Sequence, residues 1–417
     1  MKYSRFGTFL RSGSGILQLM EDIDAALTGP DPMMLLGGGN PAKIPAVQER
    51  FRQAMLGLMR DGQRFEQMTG NYDGARGNSR FIRALAEMLN RRYGWNLGPE
   101  NIAITNGSQT SFYVLFHLFA GVSDDTISRK ILLPMVPEYI GYTDVGIGED
   151  LFRAQKPLIE TSSDHEFKYR IDFDAIKMSQ EIGAIAISRP GNPTGNVSSD
   201  DEIRRLRELA KESEIPLILD CAYGDPFPGI VFPAVTTAWD EGTVLCLSLS
   251  KLGLPGIRTG IVIANEDIIR SISAANAIMS LAPSSFGPAL VTPMVEDGSI
   301  LTMSKDVIRP YYERKSELAQ EWIREAMGSL PCRIHRSEGA IFLWLWFENL
   351  PISSEALYQR LKKRGVLIVA GEHFFPGLNE PWPHQRECIR VSYALNPDLL
   401  KKGIDIIADE VARAYDA

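Results

Sequence analysis

Apolar residues are distributed along this chain in two patterns. In one they form short unbroken runs that stop at glycine, proline, asparagine or a charged residue: NIAIT at 101–105, KILL at 130–133, AIAIS at 184–188, IPLILD at 215–220 and VLCLSL at 244–249. Runs of this length between turn-forming residues predict buried strands. In the other pattern apolar residues recur every three or four positions, as with Phe81, Leu85 and Leu89, and predict amphipathic helices. Further helices are expected over 16–27, 47–61 and the charged stretch 200–212. Strands and helices alternate through the first two thirds of the chain, which predicts an open, mostly parallel α/β sheet flanked by helices. Polar residues gather where these strands end, the usual address of a ligand on such a sheet.

Beyond residue 290 the pattern changes. A long polar helix over 304–327 is followed by strands in EGAIFLWLWF, GVLIVAGEHFFPG and ECIRVSYA, the second running on into a loop, and by a closing helix over 397–415. This predicts a smaller α+β lobe. The expected division is a large α/β domain over 46–290 and a small domain built from 1–45 and 291–417. A chain of 417 residues exceeds what a single core ordinarily supports, so two units are in order. No internal repeat or low-complexity linker marks the boundary.

Composition narrows the class of protein. Apolar residues at 44% and charged residues at 23% describe a globular chain, and the net charge of −8 gives no footing for nucleic acid. The four cysteines, Cys221, Cys246, Cys332 and Cys388, are scattered without a C-x-x-C pair. That spacing suits reduced thiols in the cytoplasm and argues against a disulfide framework or a metal site. The first residues lack the apolar centre of a signal peptide, and the longest apolar run is too short to span a bilayer. A cytoplasmic protein with no membrane or nucleic-acid partner is expected.

The candidate chemistry centres on TVLCLSLSKLGLPGIRTG, residues 243–260. A lysine at the end of a buried strand is costly unless its ammonium has a partner. Desolvation lowers its pKa and frees the amine to condense with an aldehyde. Ser248, Ser250 and Arg258 add hydroxyls and a fixed cation, which suit a phosphate. Upstream, Gly107, Ser108 and Gln109 stand at a helix N-terminus, where backbone amides and the helix dipole favour an anion or a plain serine cap. Asp220 ends its strand as a carboxylate that needs a cationic ligand, an internal salt bridge or a role as a helix cap, with Tyr223 three residues later and Lys251 thirty-one residues on (251 − 220). Asn192 lies in N-P-T-G, whose proline fixes where the amide points. Tyr139 in P-E-Y-I-G-Y suits stacking or core packing, and the three glycines Gly37 to Gly39 suit a plain turn or close approach to a ligand.

Taken in this order, the motifs resemble the fold-type I aminotransferases that use pyridoxal phosphate. The resemblance covers essentially the whole chain from residue 5. It implies that Lys251 carries the cofactor as a Schiff base, that Asp220 faces the pyridine nitrogen and that Tyr139 stacks on the ring. Asn192 and Tyr223 would contact the phenolic oxygen, while Ser108, Gln109, Ser248, Ser250 and Arg258 would hold the phosphate. Arg390 in I-R-V-S-Y would fork onto the substrate α-carboxylate, with Gly39 and Asn192 beside it. Tyr72 in NYDGARG would reach the phosphate of a neighbouring subunit, making a homodimer with shared sites. GGGNPAKIP, SRPGNPTGN, AYGDPFPGI and FFPGLNEPWPH narrow the likeness to enzymes that move the amino group of a neutral aliphatic amino acid such as valine to pyruvate. Only Arg390 stands in a motif that places a carboxylate-binding cation, and Ile16, Tyr139 and Ile140 near the site suit a small apolar side chain. A carbon–sulfur lyase would use the same cofactor residues. A cofactor-sensing DNA-binding regulator would need a basic added domain, for which the residues before Gly37 are too few.

Overall fold

The computed structural model describes residues 1–11, 15–28, 33–146, 151–162 and 165–416. Its larger sheet has eight strands. The path runs Ile102–Thr105, Gly260–Ile263, Thr243–Ser248, Leu217–Asp220, Ile182–Ser188, Ser128–Leu133 and Gly121–Val122, and Phe152–Ala154 pairs beside Ser128–Leu133. Gly260–Ile263 is antiparallel to both its neighbours, whereas Thr243–Ser248, Leu217–Asp220, Ile182–Ser188 and Ser128–Leu133 run parallel. The central strands are buried along their whole length, which is why they read as unbroken apolar runs. Because they run parallel, their last residues emerge at one edge. The start of the antiparallel strand, Gly260, lies there too, opposite Ser248.

The smaller sheet has six strands in the order Val369–Ala370, Cys388–Ser392, Phe342–Phe347, Cys332–His335, Glu166–Arg170 and Leu158–Thr161. Its last two strands come from inside 46–290, the stretch expected to belong wholly to the large domain. They join the C-terminal lobe because Cys332–His335 pairs in parallel with Glu166–Arg170. The N-terminal segment also contacts the C-terminal part: Met34–Leu35 pairs with Val366–Leu367, and Asp22 of helix Gly15–Thr28 receives Lys362 Nζ at 2.7 Å. Gly37 sits so close to the Ile368 backbone that a Cβ would lie 2.6 Å from its carbonyl oxygen. Close approach is therefore required at Gly37, but to the protein's own chain.

Local rules explain most element ends. Ser199 and Glu202 form a capping box at the start of helix Asp200–Glu212. The helix expected over 304–327 is α-helical only from Arg309 to Met327, preceded by a π-helical turn over Ser304–Ile308. Pro310 lacks the N–H that an α-helix needs there, and the wider turn accommodates it. No helix among the described residues is long and apolar enough to cross a membrane.

Candidate active site

The strand ends converge on a cavity of about 260 Å³. Of the residues that the resemblance assigns to the cofactor or the substrate carboxylate, all but Tyr72 line it, together with Phe112, Ser188 and Phe342. Tyr72 is 83% exposed on this chain's own surface. The side chain of Ile16, expected near the pocket, lies outside the described residues, and Met20 of the same helix lines the cavity instead.

Lys251 follows strand Thr243–Ser248 and is half-buried, with its amine inside the cavity. Its Nζ donates to the Gly39 carbonyl at 2.7 Å and lies 5.2 Å from the centre of the Tyr223 ring. Burial, helped by the like charges of Arg390 and Arg258, pulls its pKa down to about 8, against the opposing pull of Asp220. Asp220 ends the neighbouring strand. Its Oδ1 accepts from the Ala222 amide at 2.9 Å and its Oδ2 from the Tyr142 hydroxyl at 2.7 Å. Burial raises its pKa, and those donors and Lys251 oppose the rise. Tyr142, the second tyrosine of P-E-Y-I-G-Y, was not singled out in the sequence; its role depends on Asp220, which lies far away along the chain. Tyr139 presents its ring to the same space, with Tyr142 packed edge-on 5.5 Å away.

One end of the cavity is built for an anion. Helix Ser108–Phe119 starts here after Gly107, at φ 95° and ψ 153°, a conformation open to glycine. The first-turn amides of Ser108 and Gln109 have no partner within the helix, and its dipole adds positive potential. The Gln109 side chain is committed elsewhere: its Nε2 donates to Gly141 O at 2.8 Å. What Gln109 offers an anion is its backbone amide. Arg258 completes this end, donating from Nη1 to Ser250 Oγ at 3.2 Å. A Cβ on Gly107 would lie 2.2 Å from Arg258 Nη2, so the guanidinium occupies the space only glycine leaves. Arg258 itself holds φ 48°, a left-handed conformation costly to a residue with a side chain, and does so at the cavity wall. Ser248 Oγ accepts from the Ser250 amide at 3.1 Å and fixes the turn.

The opposite end holds Arg390, 2% exposed. Its Nη1 donates to Asn192 Oδ1 at 2.7 Å and its Nη2 to Gly37 O at 2.8 Å, while Nε is buried without a partner. The guanidinium lies 4.0 Å from the Phe342 ring centre and 5.2 Å from that of Phe374. Burial lowers its pKa to about 10, so it remains a cation at neutral pH. Since Asn192 Oδ1 accepts from Arg390, the Asn192 amide group is left as a donor. Tyr223 is buried against Phe342 and its phenol is held well above its ordinary pKa by burial. The cavity thus offers an anion cradle, a central amine facing a buried acid, and a second cationic end.

The sequence profile of aminotransferase class I and II matches residues 32–407. The chain is 47% identical over 415 residues to the valine–pyruvate aminotransferase of Escherichia coli K12, covering 100% of this chain and 99% of the relative. Its fold superposes on the crystal structure of valine–pyruvate aminotransferase from Salmonella typhimurium LT2 with a TM-score of 0.89, at 46% identity, over 96% of this chain and 99% of the other. A multiple substrate aminotransferase from Thermococcus profundus, 19% identical, shares the fold with a TM-score of 0.80 over 99% of this chain and 98% of its own.

Proposed function

The chain belongs to the class I and II aminotransferases, and on that premise we propose that it moves the amino group of valine to pyruvate using pyridoxal phosphate. The observation that carries this reading is the pairing, in one cavity, of the Lys251 amine near neutrality with the buried Asp220 carboxylate. The cavity also fits the cofactor in other respects. Among the described residues no lysine or arginine forms an ion pair with Asp220, so a protonated ring nitrogen would satisfy it. The unpartnered first-turn amides, Ser248, Ser250 and Arg258 match a phosphate. When bound, the cofactor supplies an electron sink for the carbon that loses its proton.

The chain's own groups do the rest. Asp220, steadied by Tyr142, would hold a protonated ring nitrogen by its charge. Tyr139 would stack on the ring, and Asn192 and Tyr223 would hold its phenolic oxygen. Arg390 takes the substrate carboxylate with its unpartnered Nε and remaining N–H groups. The Lys251 amine would be the base that takes the proton from the substrate Cα and returns it on the product side. Phe342, Tyr139 and Ile140 line the wall with apolar surface, and no second arginine stands free for a distal carboxylate among the lining residues. Valine is favoured over alanine only modestly, by about 0.8 kcal/mol per buried CH₂.

We take the two domains to be built on the eight-stranded and six-stranded sheets, the 158–170 hairpin going with the small one. A homodimer with shared sites is supported by exposed apolar groups next to the anion cradle: Tyr72, Ile278 at 86% and Leu281 at 66%. Their segments are joined to the cradle, since Asn276 Nδ2 donates to Ala75 O at 2.8 Å and Asn106 Nδ2 to Ser280 Oγ at 3.2 Å. Four buried free cysteines suit a reducing cytoplasm. The test is a matrix of amino donors against pyruvate, 2-oxoglutarate and oxaloacetate, following the cofactor spectrum in each half-reaction. Valine, 2-aminobutyrate and alanine should react with pyruvate as acceptor. A strong preference for glutamate and 2-oxoglutarate, with valine and alanine inert, overturns the substrate and leaves the reaction type standing.

A further inference from the structure

The turn that carries Asn192 is gripped from the smaller sheet by a buried ion pair that the mechanism above does not use. Lys168 stands in strand Glu166–Arg170 and is 3% exposed, and Glu338 lies just before strand Phe342–Phe347. The Lys168 ammonium is in hydrogen-bond contact with Glu338 Oε2, and it donates to Asn196 Oδ1 at 3.0 Å and to Val197 O at 3.3 Å. All three of its N–H groups are therefore engaged. Glu338 holds the same stretch of chain: its Oε2 accepts from the Val197 amide at 2.9 Å, and its own amide donates to Gly195 O at 3.1 Å. The turn is closed within itself by the Gly191 amide on Asn196 O at 2.8 Å and the Gly195 amide on Gly191 O at 2.9 Å. It fits tightly, since a Cβ on Gly195, at φ 69°, would lie 2.8 Å from Gly339 O. Asn192 Oδ1 accepts from Arg390 Nη1, so one short turn links the ion pair to the guanidinium.

We propose that Lys168 and Glu338 are positioning residues: by fixing residues 195–197 they hold Asn192 where its Oδ1 orients Arg390 for the substrate carboxylate. A buried ion pair is a poor source of stability, because taking two charges out of water costs about as much as their attraction returns. Neutral side chains could fill the same space with little loss of stability. They would leave the Asn196 side chain and the Val197 carbonyl without the Lys168 donor, and the turn free to settle elsewhere. Arg390 gives one N–H to Asn192 and one to Gly37 O, so a shift of Asn192 tilts the plane that must meet a carboxylate bidentately.

The inference rests on the reading of Arg390 as the carboxylate site, but not on the cofactor or on valine. The double variant Lys168→Met with Glu338→Gln removes both charges and keeps an acceptor for the Val197 amide. Asn196→Ala removes a single tie and keeps the ion pair. One probe is 3-methylbutanoate, which has the carboxylate and the branched chain without the amine, titrated calorimetrically into cofactor-free protein. The other is L-valine as donor to the holoenzyme, with pyruvate as acceptor. The double variant should melt within about 4 °C of wild type, since no unpaired charge is left. It should bind 3-methylbutanoate about tenfold more weakly and raise the KM for valine about tenfold, with kcat lowered by about threefold or less. Asn196→Ala should move affinity and KM in the same direction by about threefold. A merely structural role would lower the melting temperature and the amount of active enzyme and leave KM in place. Wild-type affinity and KM in the well-folded variants, or a loss matched by equal loss of cofactor uptake, overturns the proposal. A wild-type protein that binds 3-methylbutanoate but is inert towards valine sinks the substrate reading, and the calorimetry alone then decides the positioning. One that binds no 3-methylbutanoate has no carboxylate site at Arg390 and refutes both.

Discussion

A nucleophilic lysine is governed by what surrounds its nitrogen. Lys251 would be ionised almost entirely at neutral pH in water, and the cavity brings its pKa to about 8. Only the free amine condenses with an aldehyde, so the capture rate of pyridoxal phosphate by cofactor-free protein should climb with pH below about 8 and level off above it. Stopped-flow absorbance against pH checks this, and borohydride trapping should place the label on Lys251; a label elsewhere refutes the assignment. Asp220→Asn keeps the shape but removes the charge that holds a ring cation. Turnover should fall roughly 10³-fold, about 4 kcal/mol of transition-state stabilisation, with the fold intact by circular dichroism. Near-wild-type turnover would mean that another group meets the ring nitrogen. Lys251, Asp220 and Asn192 are legible in the sequence because each is a polar residue where an apolar run stops. Tyr142 is not, because what it does is set by its bond to Asp220 on another strand.

At the scale of elements, the anion cradle depends on a helix that starts where no side chain can fit. Gly107→Ala would force a Cβ into Arg258 from a backbone conformation that L-residues avoid. It should cost about 1–3 kcal/mol of stability and also weaken cofactor binding, read by thermal melting and by equilibrium titration. Gly94 is the contrasting case. It caps helix Ser79–Tyr93 at φ 71° with nothing within 4 Å of its added Cβ. Gly94→Ala should lose about 1 kcal/mol and leave cofactor affinity unchanged. Equal loss of affinity in both variants would show that the Gly107 effect is general destabilisation. Elements with strong periodicity or caps were legible: the helix expected over 200–212 is Asp200–Glu212 and the closing helix is Pro397–Tyr415. The hairpin of Leu158–Thr161 and Glu166–Arg170 was not, because its strands are short and its outer strand is largely exposed.

For the whole molecule, the proposed dimer makes a prediction of its own. If Tyr72 serves the neighbour's site, a Lys251→Ala chain and a Tyr72→Phe chain, each impaired alone, should complement when mixed and refolded. Random pairing gives one intact site in each heterodimer, up to about a quarter of wild-type activity. Full activity in a strictly monomeric species on sizing, or no recovery from well-folded mixtures, counts against a shared site.

The sequence by itself determined the class of sheet, because strands buried on both faces must be apolar throughout and strand ends must carry the polar groups. It also marked strand-end residues that meet in one cavity, since a lysine, an aspartate and a proline-fixed asparagine in such places need a ligand or a partner to be tolerated. The tertiary structure decided the rest. It assigned the 158–170 hairpin to the smaller sheet through one parallel pairing with Cys332–His335. It tied the Gln109 side chain to the Gly141 carbonyl and set the Asn192 amide by its bond to Arg390, 198 residues away along the chain. Periodicity reports whether a position is buried, whereas which groups meet inside depends on strand order, and strand order is fixed only when the chain closes on itself.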